Sequence, residues 1–517
     1  MSHTASPALP APEITPLSGG MLWLAALVLA AANFIAVLDM TIANVSVPNI
    51  AGGLGATASQ GTWVITSYAV GEAITVPLTG WLAKRFGAVK VFVAAMTLFG
   101  FFSAVSGLSN SLGLLVLARI FQGFSGGPLM PLSQTLLMRI FPKEKSAAAI
   151  GLWSMTTLIA PVAGPILGGY LCDQYSWPLV FFINLPIAAV CAVFSWKLLK
   201  RYTEPLARNP IDRVGLCLLV LWVGALQFLL DEGKDLDWFA SREITALAVT
   251  AAVCFAAFII WELYEEHPVV DLRVFRHRGF SVSVLTISLA FGAFFGANVL
   301  TPLWLQSLMG YTATKAGQAT AWSGLTAVFL APLVAQLASR FDPRKLVFGG
   351  VLLLGAVTLW RSTGTTDMTF WDVAIPLMAM GLGLPFFFIP TTGLAMASVD
   401  EGEMASAAGL MNFLRTLSGA IATSLATTVW ADQTTRAHAE LVGLSDSDQS
   451  VRALLDNSGM SADAVSQAMD GMISGQSTML ATNQMMFALG IAFIIAASVI
   501  WLAPRPTRAV DPAAGGH

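Results

Sequence analysis

The chain has 517 residues, of which 56% are hydrophobic and only 11% are charged, and its formal net charge is −3. Soluble domains carry about 25% charged residues, so this composition indicates a membrane-embedded chain. The balance of charge provides no basic surface that would bind nucleic acid. The four cysteines lie in or beside apolar runs, at spacings that fit neither a metal site nor a disulfide framework, and we expect them to be small packing residues.

Fourteen apolar runs are long enough to cross a bilayer as helices, which need about 20 mostly apolar residues each. Their approximate bounds are 21–44, 60–83, 90–108, 112–138, 146–170, 178–198, 213–230, 243–262, 280–303, 316–337, 345–361, 372–396, 404–430 and 481–503. With the N-terminus inside, 19 of the 27 lysines and arginines fall in inside-facing segments, six fall outside and two lie within spans. Because basic residues concentrate on the cytoplasmic side of membrane proteins, both termini are predicted to be cytoplasmic.

An internal repeat reveals how the chain is organised. The segment GWLAKRFGAVK at 80–90 shares its skeleton with AQLASRFDPRK at 335–345, at a constant offset of 255 residues. This offset exceeds one six-helix half by about two helices with their loops. We therefore predict an all-α integral membrane protein with two six-helix bundles and two inserted helices. Two halves with a site between them near the midplane are the plan of a secondary transporter.

The same reasoning divides the chain into units. The predicted units are a disordered cytoplasmic tail at 1–20, an N-terminal half at 21–200, two inserted helices at 201–275, a C-terminal half at 276–503 and a cytoplasmic tail at 504–517. Within the C-terminal half, residues 431–480 are hydrophilic and acidic. We expect them to form a small external subdomain.

Four charged residues lie deep in predicted spans, and they are Asp39, Glu72, Arg119 and Arg415. A charge at the centre of a span costs about 2.5–3.5 kcal/mol on insertion, so such residues are functional candidates. Asp39 is suited to take up a proton from outside and to release it inside, and Glu72 is predicted to be a second protonatable or cation-attracting group. Arg415 is expected to hold an anionic substrate or to lock the halves together. A purely structural role, as an anchor, an ion pair or a clamp to carbonyl groups, stays open for each.

Several segments resemble motifs of the major facilitator superfamily. GWLAKRFGAVK looks like the cytoplasmic gating motif G-x-L-x-D-R-x-G-x-x-K, and Lys84 stands where most members carry an acid. The positions that match this motif are Gly80, Arg85, Gly87 and Lys90. LARIFQGFSGGPLMP at 117–131 resembles the fourth-helix motif R-x-x-Q-G, which implies that Arg119 takes part in proton coupling. APVAGPILGGYL at 160–171 resembles the antiporter motif of exporters, through Gly164, Pro165, Gly168 and Gly169.

Further segments are typical of the fourteen-helix drug:proton antiporters. These are LDMTIANVSVPNI at 38–50 and W-x-x-x-F-x-I-N-x-P at 177–186, while SQGTWVITSY, GPLMPLSQ, LWSMT and NFLRTLSG resemble the EmrB type of multidrug efflux pump. The resemblance implies a multi-pass protein of a Gram-negative inner membrane that uses the proton gradient and no cofactor. It also implies two partner proteins, an EmrA-type periplasmic adaptor and a TolC-type outer-membrane channel.

The chain is rich in aromatic residues and methionine, which form soft walls suited to varied hydrophobic ligands. The residues predicted to bind substrate are Asn33, Tyr68, Gln122, Phe387, Asn412 and Arg415. The sequence favours a proton-coupled exporter of hydrophobic drugs, surrounded by membrane lipids. Export of a native metabolite, such as a siderophore or a fatty acid, stays open as the alternative. An enzyme or an ATP-driven transporter is disfavoured, because no metal motif, nucleophile–base pairing or phosphate-binding loop is recognisable.

Overall fold

The computed structural model describes residues 17–56, 58–142, 145–202, 211–234, 236–447 and 462–505. These residues form α-helices joined by short turns, and no β-strand occurs among them. In chain order the helices are α1 Gly19–Gly53, α2 Ala58–Phe86, α3 Ala88–Gly107, α4 Leu112–Gly126, α5 Leu129–Ile140, α6 Ser146–Gln174, α7 Leu179–Phe182, α8 Asn184–Leu199, α9 Arg213–Glu232, α10 Arg242–Tyr264, α11 Arg278–Ser307, α12 Ala313–Arg340, α13 Pro343–Arg361, α14 Phe370–Ala397, α15 Met404–Ser447 and α16 Ala462–Val499.

The apolar lengths of these helices fit a membrane protein. In the described part of the chain, eleven helices are long and apolar enough to span a bilayer, or twelve if the bent pair 148–161 and 166–172 within α6 is one span. The two remaining predicted spans, 60–83 and 404–430, lie in α2 and α15, which are long but more polar helices. Both pack into the helical bundle on several sides. The predicted all-α, multi-pass membrane architecture is confirmed.

Two predicted spans contain breaks. The span at 112–138 divides into α4 and α5 at Gly127 and Pro128, because proline lacks the N–H that an unbroken helix would use. The span at 178–198 begins with the single turn α7 and restarts as α8 at Asn184. The second break matters for function, because Asn184 faces the buried polar site described below.

The predicted external loop at 431–480 is helical wherever it is described. Helix α15 continues to Ser447, and α16 begins at Ala462. Residues 448–461 lie outside the described part of the chain, as do 1–16 and 506–517 of the predicted tails and 203–210 of the inserted unit. The acidic segment is thus carried on extensions of two long helices, and its role as an external subdomain stays a prediction.

Helix packing brings the two predicted halves together. In the first half α1 packs on α6, α2 on α4 and α3 on α8, and in the second half α12 and α13 pack on α14 and α11 packs on α15. Contacts between the two sets run through α2 and α15, α5 and α15, and α6 and α12. The inserted helices α9 and α10 pack on each other, and α9 also contacts α2 and α15. A site shared by the halves would therefore lie among α2, α5, α6 and α15.

Candidate functional site

A buried ion pair joins α1 to α4. Nη1 of Arg119 lies 2.6 Å from Oδ2 of Asp39, and the two side chains are 1% and 0% exposed. Nε of Arg119 donates to the carbonyl of Val64 at 3.1 Å, and the guanidinium carbon lies 4.2 Å from the centroid of the Tyr68 ring. The structure thus places two of the predicted proton-coupling residues in direct contact.

The second oxygen of Asp39 accepts two side-chain amides. Nε2 of Gln122 donates to Oδ1 at 3.0 Å, and Nδ2 of Asn184 donates to it at 2.6 Å. Asn184 also donates to Oγ of Ser103 at 3.0 Å, which extends the network from α8 to α3. Arg119 and these two amides thus hold both oxygens of Asp39 in place. A proton on Asp39 would weaken the bonds that its oxygens accept, because they would lose the help of the negative charge.

The sequence reasoning did not single out Asn184 or Ser103. A signal for Asn184 was present, since it is the asparagine of the W-x-x-x-F-x-I-N-x-P segment. Ser103 is one of many small polar residues in the apolar runs and carried no such signal. The network also depends on close helix approach, because a Cβ atom on Gly123 would meet the backbone of Tyr68.

Glu72 lies on α2, one helical turn after Tyr68, and is 4% exposed. Among the residues that the structure describes, none forms an ion pair or hydrogen bond with its carboxylate. The charges that act on it are those of Asp39, Arg119 and Arg415. Glu72 therefore lies within electrostatic reach of the ion pair in its own half and of an arginine in the other half.

Arg415, on α15, is 1% exposed and contacts both halves. Nη2 donates to Sδ of Met130 on α5 at 2.7 Å. The guanidinium carbon lies 5.4 Å from the ring centroid of Trp153 and 5.2 Å from that of Phe291. Nε and Nη1 have no acceptor within the described part of the chain. A guanidinium with unpaired N–H groups is suited to bind an anionic group.

Two predicted substrate-binding asparagines connect helices. Nδ2 of Asn412 donates to Oε1 of Gln134 at 3.0 Å, which links α15 in one half to α5 in the other. Nδ2 of Asn33 donates to the hydroxyls of Thr156 and Thr157 at 2.8 Å each, which links α1 to α6. The Oδ1 atoms of both asparagines are buried, and no donor in the described residues reaches them.

The remaining predicted substrate residues are also buried. Tyr68 and Gln122 belong to the network around Asp39 and Arg119. The Phe387 ring centroid lies 4.6 Å from that of Phe388, so Phe387 packs in the core of the C-terminal half. The structure thus gathers the predicted polar residues into two groups, one around Arg119 and one around Arg415, and places Phe387 in the core of the C-terminal half.

The glycines of the predicted gating motif sit where space or backbone geometry requires them. A Cβ atom on Gly80 would meet Cα of Ser406 at 2.7 Å, so this glycine permits α2 to touch α15 of the other half. Gly87 has a φ of 90°, in the left-handed region that glycine tolerates. The turn between α2 and α3 therefore depends on Gly87, and the contact between α2 and α15 depends on Gly80.

The charged residues of the gating motif lie at the surface. Nζ of Lys84, which stands in place of the usual acid, lies 3.5 Å from Oδ2 of Asp271 in the segment after α10. Arg85 lies over the ring of Trp81, at 5.6 Å from its centroid. Lys90 is exposed. In this chain the segment that follows the inserted helices thus supplies an acid to the gating turn.

The predicted antiporter motif lies on α6 against α1. A Cβ atom on Gly164 would meet the side chain of Thr41, and it would lie 3.0 Å from the backbone nitrogen of Ile42. A Cβ atom on Gly168 would lie 2.9 Å from the carbonyl oxygen of Ile42. These two glycines let α6 pack closely on α1 just after Asp39, as small residues do between membrane helices.

The other two motif residues differ from them. Around Gly169 no atom lies within 4 Å of the place where a Cβ atom would stand. The side chain of Pro165 lies outside the described part, but its helix bends by 41° between 148–161 and 166–172. A proline at this bend fits the bend's usual cause, the loss of a backbone hydrogen bond.

Residues 29–423 match the sequence profile of the Major Facilitator Superfamily. The chain belongs to this superfamily. The predicted family is therefore confirmed, and membership indicates a membrane transporter rather than an enzyme. Members alternate access between two halves. The group around Arg415 joins α15 of one half to α5 of the other, whereas the group around Arg119 lies within the N-terminal half.

Three bacterial proteins are similar to the chain over nearly its whole length. The chain is 43% identical to the multidrug export protein EmrB of Haemophilus influenzae over 501 residues, covering 96% of this chain and 98% of that protein. It is 41% identical to EmrB of Escherichia coli over 507 residues, covering 97% and 99%. It is 42% identical to the fatty acid resistance protein FarB of Neisseria gonorrhoeae over 509 residues, covering 98% and 100%.

A solved structure with a similar fold is the human organic anion transporter MFSD10. The TM-score is 0.57 at 13% sequence identity, over 93% of this chain and 100% of that chain. At this identity the match concerns the fold alone, and it agrees with the predicted major facilitator architecture.

Proposed function

We propose that the protein is a proton-coupled exporter of hydrophobic toxic compounds, a drug:proton antiporter that works by alternating access. Similarity to the EmrB multidrug export proteins over nearly the whole chain supports the direction of transport and the class of substrate. The observation that carries the proton coupling is the buried contact of Asp39 with Arg119. The proton gradient supplies the energy, and no cofactor is required.

The geometry suggests how a proton would act. Protonation of Asp39 removes the negative charge that Arg119 faces, and an arginine left buried without its partner is unfavourable by about 3–5 kcal/mol. The protein then lowers its free energy by adopting a conformation in which Arg119 donates to other acceptors or to water. Release of the proton on the other side restores the ion pair.

The movement of α1 has a route to the other half. Gly164 and Gly168 hold α6 against α1 within a few residues of Asp39, and Asn33 bonds α1 to α6 nearer its start. Helix α6 in turn packs on α12 of the second half. A shift of α1 relative to α4 would therefore move α6 against α12, which is a physical connection between proton site and gate.

For exchange to occur, the drug and the proton must each bind one conformation of the protein more tightly than the other. Glu72 is well placed for this, because its unpaired carboxylate interacts with the Asp39–Arg119 pair and with Arg415. We assign Glu72 the role of a second protonatable or cation-attracting group. The other polar residues of the two groups would contact substrate when the halves separate, namely Asn33, Tyr68, Gln122, Asn412 and Arg415, with Phe387 beside them.

The proposal includes a cellular setting. The bias of basic residues supports cytoplasmic placement of both termini. The similarity to the EmrB proteins supports placement in a bacterial inner membrane. The similarity to EmrB proteins supports a tripartite system with an EmrA-type adaptor and a TolC-type channel. We assign the adaptor contact to the hydrophilic segment 431–480. Deletion of 440–475 should weaken efflux from cells while sparing transport in vesicles, and equal loss in both assays would contradict that assignment.

A second candidate function is export of a fatty acid or another native amphipathic anion. Two observations favour it: the 42% identity to FarB, and the unpaired Nε and Nη1 of Arg415, which suit a carboxylate. Competition in the same vesicles distinguishes the two functions. A long-chain fatty acid that blocks drug transport at low concentration would support a shared site, and one without effect would remove this candidate.

The proposed function can be tested in cells that lack their own efflux pumps. Cells that produce the protein should accumulate less of a fluorescent hydrophobic drug, and a protonophore should abolish the difference. Asp39→Asn should behave as if the gradient were absent, at wild-type protein level. Efflux that survives both the protonophore and this substitution would contradict proton coupling.

A further inference from the structure

Two buried carboxyl groups lie on the inserted helices, apart from the site described above. Asp212 is the N-cap residue of α9 and is 8% exposed, and Glu262, near the end of α10, is 0% exposed. Oδ2 of Asp212 and Oε1 of Glu262 both reach into the volume that a Cβ atom on Gly215 would occupy. Because both oxygens lie close to this one point, they are neighbours on the same side of Gly215.

The carboxyl group of Asp212 accepts hydrogen bonds from one backbone and one side-chain N–H group. Its Oδ1 accepts the backbone N–H of Gly215 at 2.8 Å and Nε1 of Trp261 at 3.0 Å, and Nε1 also lies 3.1 Å from Oδ2. Its place at the N-terminus of α9 adds the positive end of the helix dipole. The donors around Asp212 therefore favour its negative charge.

Glu262 has the opposite surroundings. Its Oε2 accepts the backbone N–H of Val270 at 3.2 Å, but no donor in the described residues reaches Oε1. An ionised Glu262 would keep a buried acceptor unsatisfied and would place it beside a second negative charge. A proton on Oε1 removes both penalties, because the O–H group can then donate to Oδ2 of Asp212.

Among the residues that the structure describes, no cation forms an ion pair with either carboxyl group. The charged side chains on the elements packed around it are Arg213 on α9, Glu265, Glu266, His267, Asp271 and Arg273 after α10, and Lys84 and Arg85 at the end of α2. The charges that act on Glu262 are those of Asp212 and Glu265, both acids. Nη2 of Arg273 donates instead to the carbonyl of Glu265 at 2.8 Å, and Lys84 is paired with Asp271.

We propose that Asp212 and Glu262 share one proton, and that this second protonation site holds segment 269–277 in its docked position. The segment starts at the N–H that Glu262 accepts, with Val269 and Val270 each 3% exposed. Loss of the shared proton would place two like charges in contact and push Glu262 away from α9. The segment would then lose its buried anchor.

The docked segment reaches both halves of the transporter. Asp271 pairs with Lys84 at the end of α2, and Arg276 lies 2.7 Å from Glu403, which precedes α15. Nε2 of His277 lies 2.9 Å from the same glutamate. Because these contacts tie the end of α2 to the start of α15, the shared proton stabilises the conformation in which those two ends are held together.

Infrared spectroscopy of the purified full chain in lipid nanodiscs tests the shared proton directly. Glu262→Gln should remove one protonated-carboxyl band near neutral pH, and the matched control Glu265→Gln should leave that band in place. Asp39 and Arg119 are unaltered in both variants, so failure here would not affect the proposed proton coupling. Loss of an ionised-carboxylate band in Glu262→Gln would overturn the proposal.

Thermal unfolding gives a second readout. The folded chain would hold a proton that the unfolded chain has released, so this stabilisation is present at low pH and declines as the pH rises. Between about pH 6 and about pH 9 the midpoint should fall more for the wild type and Glu265→Gln than for Glu262→Gln. Equal falls in all three would contradict the proposal. A midpoint that rises with Na⁺ concentration at fixed pH, and only while Glu262 is present, would identify a bound cation instead and would also overturn it.

Discussion

Arg119 and Arg415 are buried to the same extent, yet their surroundings are opposite. Arg119 faces a carboxylate at 2.6 Å and a carbonyl at 3.1 Å. Arg415 faces a methionine sulfur and two aromatic rings, and two of its nitrogens have no acceptor in the part of the chain that the structure describes. An acid of the same half neutralises the charge of Arg119. Arg415 lies where the two halves touch, and no described acid forms an ion pair with it.

This difference separates two tasks. The ion pair of Arg119 with Asp39 loses its attraction when a proton neutralises the acid, so protonation can change which conformation of the protein is the more stable. An unbalanced guanidinium gains most when an outside anion or a distant acid approaches it. We therefore attribute proton coupling to the region around Arg119, and contact with substrate or with Glu72 to the region around Arg415.

The largest expected effect comes from removing Arg119. Arg119→Met leaves Asp39 charged with only its two amide donors, and should destabilise the protein by about 3–5 kcal/mol. The double variant Asp39→Asn with Arg119→Met should recover most of that loss, because it removes both charges, but should not transport. Denaturant unfolding in detergent measures both. Equal stability of the single and the double variant would show that the pair is not coupled.

The corresponding change at Arg415 should behave differently. Arg415→Met leaves no acid without an ion-pair partner, so the free energy of unfolding should stay the same or rise. Affinity for an anionic amphiphile should fall by roughly 10-fold or more, since hydrogen bonds to charged groups contribute about 1.5–3 kcal/mol, while neutral drugs should be little affected. Binding assays with one charged and one neutral drug provide the comparison. Equal losses for both drugs would argue for a structural role of Arg415.

Helix contact near the ion pair can be altered without touching a charge. Gly164→Ala introduces a Cβ atom against Thr41 and Ile42 of α1 and should destabilise the protein by about 1–3 kcal/mol, with a loss of transport. Gly169→Ala, in the same motif, meets no atom within 4 Å and should remain close to wild type. Transport assays at matched protein level decide the question. Similar behaviour of the two variants would contradict close packing as the motif's role.

The smallest expected effect concerns the bond between Asn412 and Gln134. This buried hydrogen bond joins the halves, and its loss in either Asn412→Ala or Gln134→Ala should destabilise the described conformation by about 0.5–1.5 kcal/mol. In a double-mutant cycle, the double variant should lose less stability than the sum of the losses of the two single variants. Additive effects of the two substitutions would show that the bond contributes nothing to the contact.

Much of this architecture follows from the sequence. The repeated segments at 80–90 and 335–345 predict two related halves, and the lengths of the apolar runs predict the helices. Asp39, Glu72, Arg119 and Arg415 were recognisable because charges are rare and costly inside apolar runs. The helix extensions in the hydrophilic segment at 431–480 were less visible, because that segment has no apolar pattern from which to count turns.

The partners of the charged residues were harder to predict. Asn184, Ser103 and Gln134 are uncharged polar residues, which membrane helices tolerate at many positions. Only the three-dimensional packing decides which of them reaches a carboxylate or an amide. The sequence also could not predict that Arg415 contacts a sulfur and aromatic rings instead of an acid, since its neighbours Met130 and Trp153 lie on other helices at long sequence separation.

Proton movement in proteoliposomes tests the central claim most directly. A pH gradient is imposed on liposomes that contain the wild type or Asp39→Asn, a hydrophobic drug is added, and the lumenal pH is followed. The account predicts drug-dependent proton movement in the wild type and none in Asp39→Asn, while both still bind the drug. Equal proton movement in the two proteins would contradict the role of the Asp39–Arg119 pair and would direct attention to Glu72.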